Sequence, residues 1–255
     1  MPFTLCHPAI VLPLYRRNRY ITSLPGLVIG SMAPDFVYFF SFGISGALTH
    51  TPLGILVFCV PAGLAVYLLY QSLIREAMLA WMPDQMSTRM RKPDHWPLRD
   101  LRSLGAVTGS LAIGAASHIA WDAFTHADTV IVNSHPIFTS LIPLGRYQIH
   151  LFKILQYLSS LVGFIVIARY FAVWFKRSLP GPRTGPSLTR KSKLLAFAGV
   201  SFVVLTSAAV VPLLRPAKSF EHGLFNVVVT GMAAAALTIV CLCLAFKVGE
   251  RRNRR

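Results

Sequence analysis

The sequence predicts an all-α, polytopic membrane helix bundle of about six transmembrane helices plus a short N-terminal helix. Three observations predict it. Only 13% of the 255 residues are charged while 54% are hydrophobic, against roughly 25% charged in a soluble domain. Six apolar runs, at about 24–44, 53–70, 104–124, 151–175, 194–214 and 225–248, each come near the ~20 residues a helix needs to span the hydrocarbon core. Basic residues gather in alternate loops between those runs, which is how membrane topology is encoded.

Taken in order, apolar Pro2–Tyr15 precedes basic Arg16, Arg17 and Arg19, the reverse of a cleavable signal, and is too short to span. It reads as a re-entrant or interfacial helix. The first run, 24–44, is interrupted by Pro25, Gly26, Gly30 and Pro34; irregular backbone at depth survives only where protein or a wet cavity lines it. After the second run, the stretch around 83–102, with Trp81, Pro93, Trp96 and Pro97, reads as an interfacial cytoplasmic loop. The third run carries Gly105-x-x-x-Gly109, a pattern that permits close helix approach, as do Gly231 and Ala233–Ala236 in the last. The Pro/Gly/Ser-rich segment 178–193 is a cytoplasmic linker. It divides a 1–177 helix bundle holding the polar residues from a 194–255 two-helix scaffold with a basic tail. Cys6, Cys59, Cys241 and Cys243 fall in or beside apolar stretches without a C-x-x-C pair, so no disulfide or cysteine-rich metal site is expected.

Lys and Arg set the orientation. Segments 1–20, 71–103, 176–193 and 248–255 carry nineteen, while 45–52, 125–150 and 215–224 carry three. The positive-inside rule then places both termini in the cytoplasm of a plasma (inner) membrane. The same distribution explains a net charge of +16 without nucleic acid, since no recognition module accompanies it; the expected partner is membrane lipid.

Against this apolar background Asp35, His50, His118, Asp122 and His126 stand out. An ionisable side chain at membrane depth costs about 2.5–3.5 kcal/mol on insertion scales, so its presence argues for function. His118-x-x-x-Asp122-x-x-x-His126 stacks three of them along one helix face, and the predicted topology brings Asp35, His50 and His7 to similar depth in the outer half of the bilayer. Metal binding and proton handling both use such a stripe. For a metal, His7, Asp35, His50, His118, Asp122 and His126 are the candidate ligands, with Asp35 as ligand or catalytic general base. A donor set of N and O without cysteine suits a divalent ion, zinc first. His135 and His150 read as surface, and His95 and His222 as loop. No Walker A, G-x-G-x-x-G or G-x-S-x-G occurs.

Several motifs carry a family resemblance: Pro2-Phe3-Thr4 with His7; Gly30-Ser31-Met32-Ala33-Pro34-Asp35-Phe36 with Tyr38-Phe39; Thr49-His50; Ser117-His118 with Trp121-Asp122-Ala123-Phe124-Thr125-His126; and Gln156, Ser159-Ser160 and Gly163. In this order they resemble a bacterial integral-membrane family catalogued as domain-of-unknown-function family 4184, over nearly the whole chain. More distantly, the order His, Pro-Asp, Thr-His, His-x-x-x-Asp is similar to inner-membrane metal-dependent hydrolases. That similarity implies a metal held by His7, Asp35, His50, His118 and Asp122. Val37 stands where those relatives often have a second acid, and Thr51 where they have Arg, which argues against a two-metal centre. The expected function is a membrane-embedded metal-dependent hydrolase acting on a lipid-linked or envelope substrate. The alternative is non-enzymatic transport of ions, protons or a small molecule through the same polar cluster.

Overall fold

The computed structural model describes residues 3–15, 18, 20–39, 43–90, 100–182, 187–214, 216, 217 and 219–253. The basic residues Arg16, Arg17, Arg19, Arg254 and Arg255, the loop centre 91–99 with His95, and linker residues 183–186 lie outside them. The chain is 78% helical with almost no strand. After a helical segment Thr4–Leu14 come α1 (Leu24–Gly30), α2 (Pro52–Trp81), α3 (Leu101–Asp122), α4 (Leu151–Arg177), α5 (Arg190–Leu214) and α6 (Phe220–Asn253). Among the described residues five helices, α2 to α6, are long and apolar enough to cross a membrane, the mark of an integral membrane protein.

The run expected to span at 24–44 is not one of them. Ser23 caps α1 by accepting from the Gly26 amide, but α1 stops at Gly30 and gives way to a 3₁₀ turn, Ala33–Asp35, and a short helix, Phe36–Phe39. Pro34 is the physical cause: it lacks the amide that would continue the α-helical ladder. Proline is handled differently inside α2. A π turn at Ile55–Cys59 ends two residues before Pro61, and such a bulge absorbs the missing bond without ending the helix.

The chain forms two compact units. The first comprises 1–37, 43–67 and 93–177. Its centre is the crossing of α1 and α3, where Leu27, Leu111, Val107 and Tyr67 are almost fully buried. The contact is backbone against backbone: a Cβ at Gly30 would lie 2.7 Å from Leu111 Cα, and one at Gly114 would lie 2.5 Å from Leu27 O. Gly105 and Gly109, the pair expected to mediate close approach, have nothing within 4 Å. The G-x-x-x-G spacing is present, but it lies on a face of α3 without a close neighbour among the described residues. Between α3 and α4, a two-stranded hairpin pairs β1 (Leu141–Leu144) with β2 (Tyr147–His150). Gly145, at φ +61°, makes its turn. Strand was not expected in this loop.

The second unit comprises 38–42, 68–92 and 178–255, and so takes the later part of α2 as well as α5 and α6. Leu73, Ala77 and Cys243 form its small core. Lys193 Nζ lies 2.7 Å from the Met82 carbonyl and 3.5 Å from Asp84. Most large apolar side chains of α5 are exposed, and Leu224, Leu237, Leu244 and Val248 of α6 are as well, as on lipid-facing helices.

Candidate metal centre

Each polar residue of the first unit is delivered by a different local device. His7 sits at the joint between the 3₁₀ turn Thr4–Cys6 and a helical turn started by Pro8. Asp35 ends the turn that Pro34 imposes. His50 caps the C-terminus of the turn Gly46–Thr49. His118 and Asp122 lie one turn apart on α3, and His126 follows just beyond it. The Thr49 hydroxyl donates to the Pro34 carbonyl at 2.9 Å, tying the His50 turn to the Asp35 turn.

These residues converge. Atoms of His7, His118 and Asp122 lie within 4.8 Å of one another, and so do atoms of Asp35, His50 and His118. His7, Asp35 and His118 are at most 1% exposed. The His50 and His126 side chains, at 22% and 27%, form the accessible side.

The orientation of the imidazoles is more informative than their proximity. His118 Nδ1 donates to the Ser31 carbonyl at 2.8 Å, and His50 Nδ1 donates to the Gly46 carbonyl at 2.8 Å. A neutral imidazole that donates through Nδ1 presents a lone pair at Nε2, which is how histidines are fixed for ligation. Both Nε2 atoms point at carboxylates. His118 Nε2 is 3.2 Å from Asp122 Oδ2 and 3.6 Å from Asp35 Oδ1. His50 Nε2 is 3.5 Å from Asp35 Oδ1 and 3.7 Å from Asp122 Oδ2. His7 Nε2 is 3.6 Å from Asp122 Oδ1, with its ring stacked on His118 at 3.8 Å.

Magnitudes discriminate between proton and metal. Hydrogen bonds between N and O fall at 2.7–3.2 Å, and only the His118–Asp122 pair reaches that range. Around a tetrahedral ion with bonds near 2.0–2.1 Å, neighbouring ligand atoms lie about 3.3 Å apart, and the separations here bracket that edge. Correspondingly, among the described residues His7 Nε2, Asp35 Oδ1 and Asp122 Oδ1 are buried without a hydrogen-bond partner, and His118 Nε2 has none beyond the 3.2 Å approach of Asp122 Oδ2. Two carboxylates and several lone pairs aimed at one point repel unless a cation lies between them. The group could hold a metal ion.

His126 stands at the edge. Its Nδ1 is 3.2 Å from the Asp122 carbonyl and 3.6 Å from Asp122 Oδ1, so this nitrogen serves the end of α3. His135 and His150 are exposed and bond their own loop at Ile131 O and Thr139 O. His222 is also exposed.

Several contributors stand in the family motifs of the sequence but carry no charge that would mark their role. Trp121 packs edge-on to His7 at 5.4 Å and donates to Ser159 Oγ at 3.0 Å. Phe3 N donates to Ser160 Oγ at 3.2 Å, and Gly163 lets the Cys6 backbone approach α4. The serines and glycine of α4 thus form the cradle that brings the N-terminal segment, and with it His7, into the bundle.

A family model described as "Domain of unknown function (DUF4184)" matches residues 1–244. The chain belongs to this family. Neither the curated proteins nor the solved structures contain a match. The match spans every residue of the polar centre, and the family description names no activity, so the chemistry rests on the geometry.

Proposed function

We propose that the chain is a membrane-embedded hydrolase that depends on a divalent metal, acting on a lipid-linked or envelope substrate at the outer leaflet of the inner membrane. The observation that supports it best is the convergence of two Nδ1-anchored histidines, through Nε2, on two carboxylates at separations of 3.2–3.7 Å. His118, His50, His7 and Asp122 are the ligands, and Asp35 is a ligand or the general base. Zinc is the ion of choice for such a cysteine-free N/O set. When bound, it would supply Lewis acidity and activate water near neutral pH.

The residues themselves supply the rest. Burial of His7, Asp35 and His118 excludes bulk water on one side, and the partial exposure of His50 and His126 leaves the other side open to a substrate. With loop 71–103 and the C-terminus cytoplasmic by their basic residues, one crossing each of α2 and α3 turns the open side, at His50 and His126, toward the outer leaflet. Elemental analysis of purified protein beside His118→Ala and Asp122→Ala tests the metal: about one ion per chain in wild type and background in the variants is the expected result. Background in all three would end this reading in favour of a proton-handling cluster. Incubating lipid extract with the metal-loaded protein, with and without chelator, then tests hydrolysis. A lipid profile indifferent to chelator would leave the ion a structural one.

A further inference from the structure

Asp35 is held asymmetrically. Its Oδ2 accepts a 2.5 Å hydrogen bond from the Thr4 hydroxyl, a buried contact across 31 residues of chain. Among the described residues its Oδ1 has no hydrogen-bond partner, and it lies 3.5 and 3.6 Å from His50 Nε2 and His118 Nε2. A contact of this length is typical of a hydroxyl donating to an ionised carboxylate. Such a bond occupies one oxygen and fixes the carboxyl plane, so it decides which oxygen faces the histidines. Thr4 and His7 are three residues apart on the same helical segment. One segment therefore reaches Asp35 through Thr4 and Asp122 through His7.

We infer that Thr4 is a positioning residue of the metal centre: its hydroxyl presents Asp35 Oδ1, as a single-oxygen ligand, to the ion shared with His50 and His118. The inference rests on the metal reading above and adds a residue without charge or metal affinity of its own. Three alternatives give different signatures. If Thr4 merely fills space, Thr4→Val, which keeps the shape, leaves metal binding unchanged. If Thr4 merely docks the N-terminal segment, Ser160→Ala, which removes the Phe3 tether and leaves Asp35 alone, is equally harmful. If the hydroxyl orients Asp35, Thr4→Val weakens binding, Thr4→Ser restores it, and Ser160→Ala does little.

The experiment is zinc affinity by chelator competition on the full-length purified protein, with cobalt(II) absorption as a report on the ligand set. Thermal unfolding without metal controls for folding. Loss of a partner that orients a metal ligand typically costs about 10- to 100-fold in metal affinity. That loss is expected for Thr4→Val, with an altered cobalt spectrum and an apo-protein that still unfolds cooperatively, though at a lower temperature because Asp35 Oδ2 loses its donor, and rescue of affinity is expected for Thr4→Ser. Wild-type affinity and spectrum in Thr4→Val would overturn the inference while leaving the metal centre standing. An equal loss in Thr4→Ser or Ser160→Ala would also overturn it. A wild-type protein that takes up neither zinc nor cobalt would overturn the metal reading itself, and this inference with it.

Discussion

Gly114→Ala adds one methyl group and should disable the polar centre from a full turn away. A Cβ at Gly114 would sit 2.5 Å from both Leu27 O and Ser31 N, and 2.7 Å from Gly30 C. Carbon in ordinary contact with such atoms keeps about 3.4–3.5 Å, so the end of α1 must retreat by about 0.9 Å. The obstructing atoms are backbone and cannot rotate away. The same turn supplies the Ser31 carbonyl, which holds His118 Nδ1 at 2.8 Å. A retreat of that size along the bond stretches it to about 3.7 Å, well past the hydrogen-bonding range. Overpacking costs about 1–3 kcal/mol, and a buried donor and acceptor left unmet cost about 1–3 kcal/mol more. The imidazole also loses the contact that aims Nε2, for about a 10- to 100-fold fall in metal affinity. Thermal unfolding and chelator competition measure the two effects. Gly109→Ala is the control, since nothing lies within 4 Å of its position; replacing a helical glycine there should be neutral or stabilising by up to ~1 kcal/mol. Gly114→Ala with wild-type affinity and stability, or the two variants behaving alike, would refute the reasoning.

Three further outcomes are expected. Gly163→Ala places a Cβ 2.9 Å from Cys6 Cβ and 3.1 Å from Cys6 O; it should loosen the N-terminal segment, expose Cys6 to a maleimide that leaves wild type unlabelled at this position, and lower metal content. Unchanged Cys6 labelling would mean that α4 does not seat the segment. His126→Ala should keep its metal while His118→Ala loses it, because His126 belongs to neither group of converging ligand atoms; equal loss in both would make His126 a ligand. Reporter fusions at Arg255 and in loop 71–103 should both read cytoplasmic, from the nineteen-to-three bias of basic residues, and an external signal from either would invert the proposed sidedness of the site.

Burial and periodicity made much of the molecule readable in one dimension. Five of the six apolar runs form long helices because twenty apolar residues have few other ways to satisfy their backbone in lipid. His118 and Asp122 are neighbours on any helix at that spacing, so their pairing needed no fold. Hydropathy did not show that the 24–44 run breaks into short helices, because it counts apolar residues and is blind to the amide that Pro34 lacks. Gly105 and Gly109 misled for a related reason: spacing marks a smooth helix face, but only packing decides whether a neighbour lies against it, and Gly30 and Gly114 are where backbones meet.

By itself, then, the sequence determined a helical membrane protein and nominated His7, Asp35, His50, His118, Asp122 and His126, because an ionisable group in an apolar run is costly enough to stand out without coordinates. Only the tertiary structure decided that His7, Asp35, His50, His118 and Asp122 converge and that His118 and His50 are turned by the Ser31 and Gly46 carbonyls. It also decided that His126 stands at the edge and that Thr4 holds Asp35. The Thr4 and Ser31 contacts cross 31 and 87 residues of chain, and all of them use carbonyls and hydroxyls that carry no charge, which side-chain spacing along one helix cannot encode.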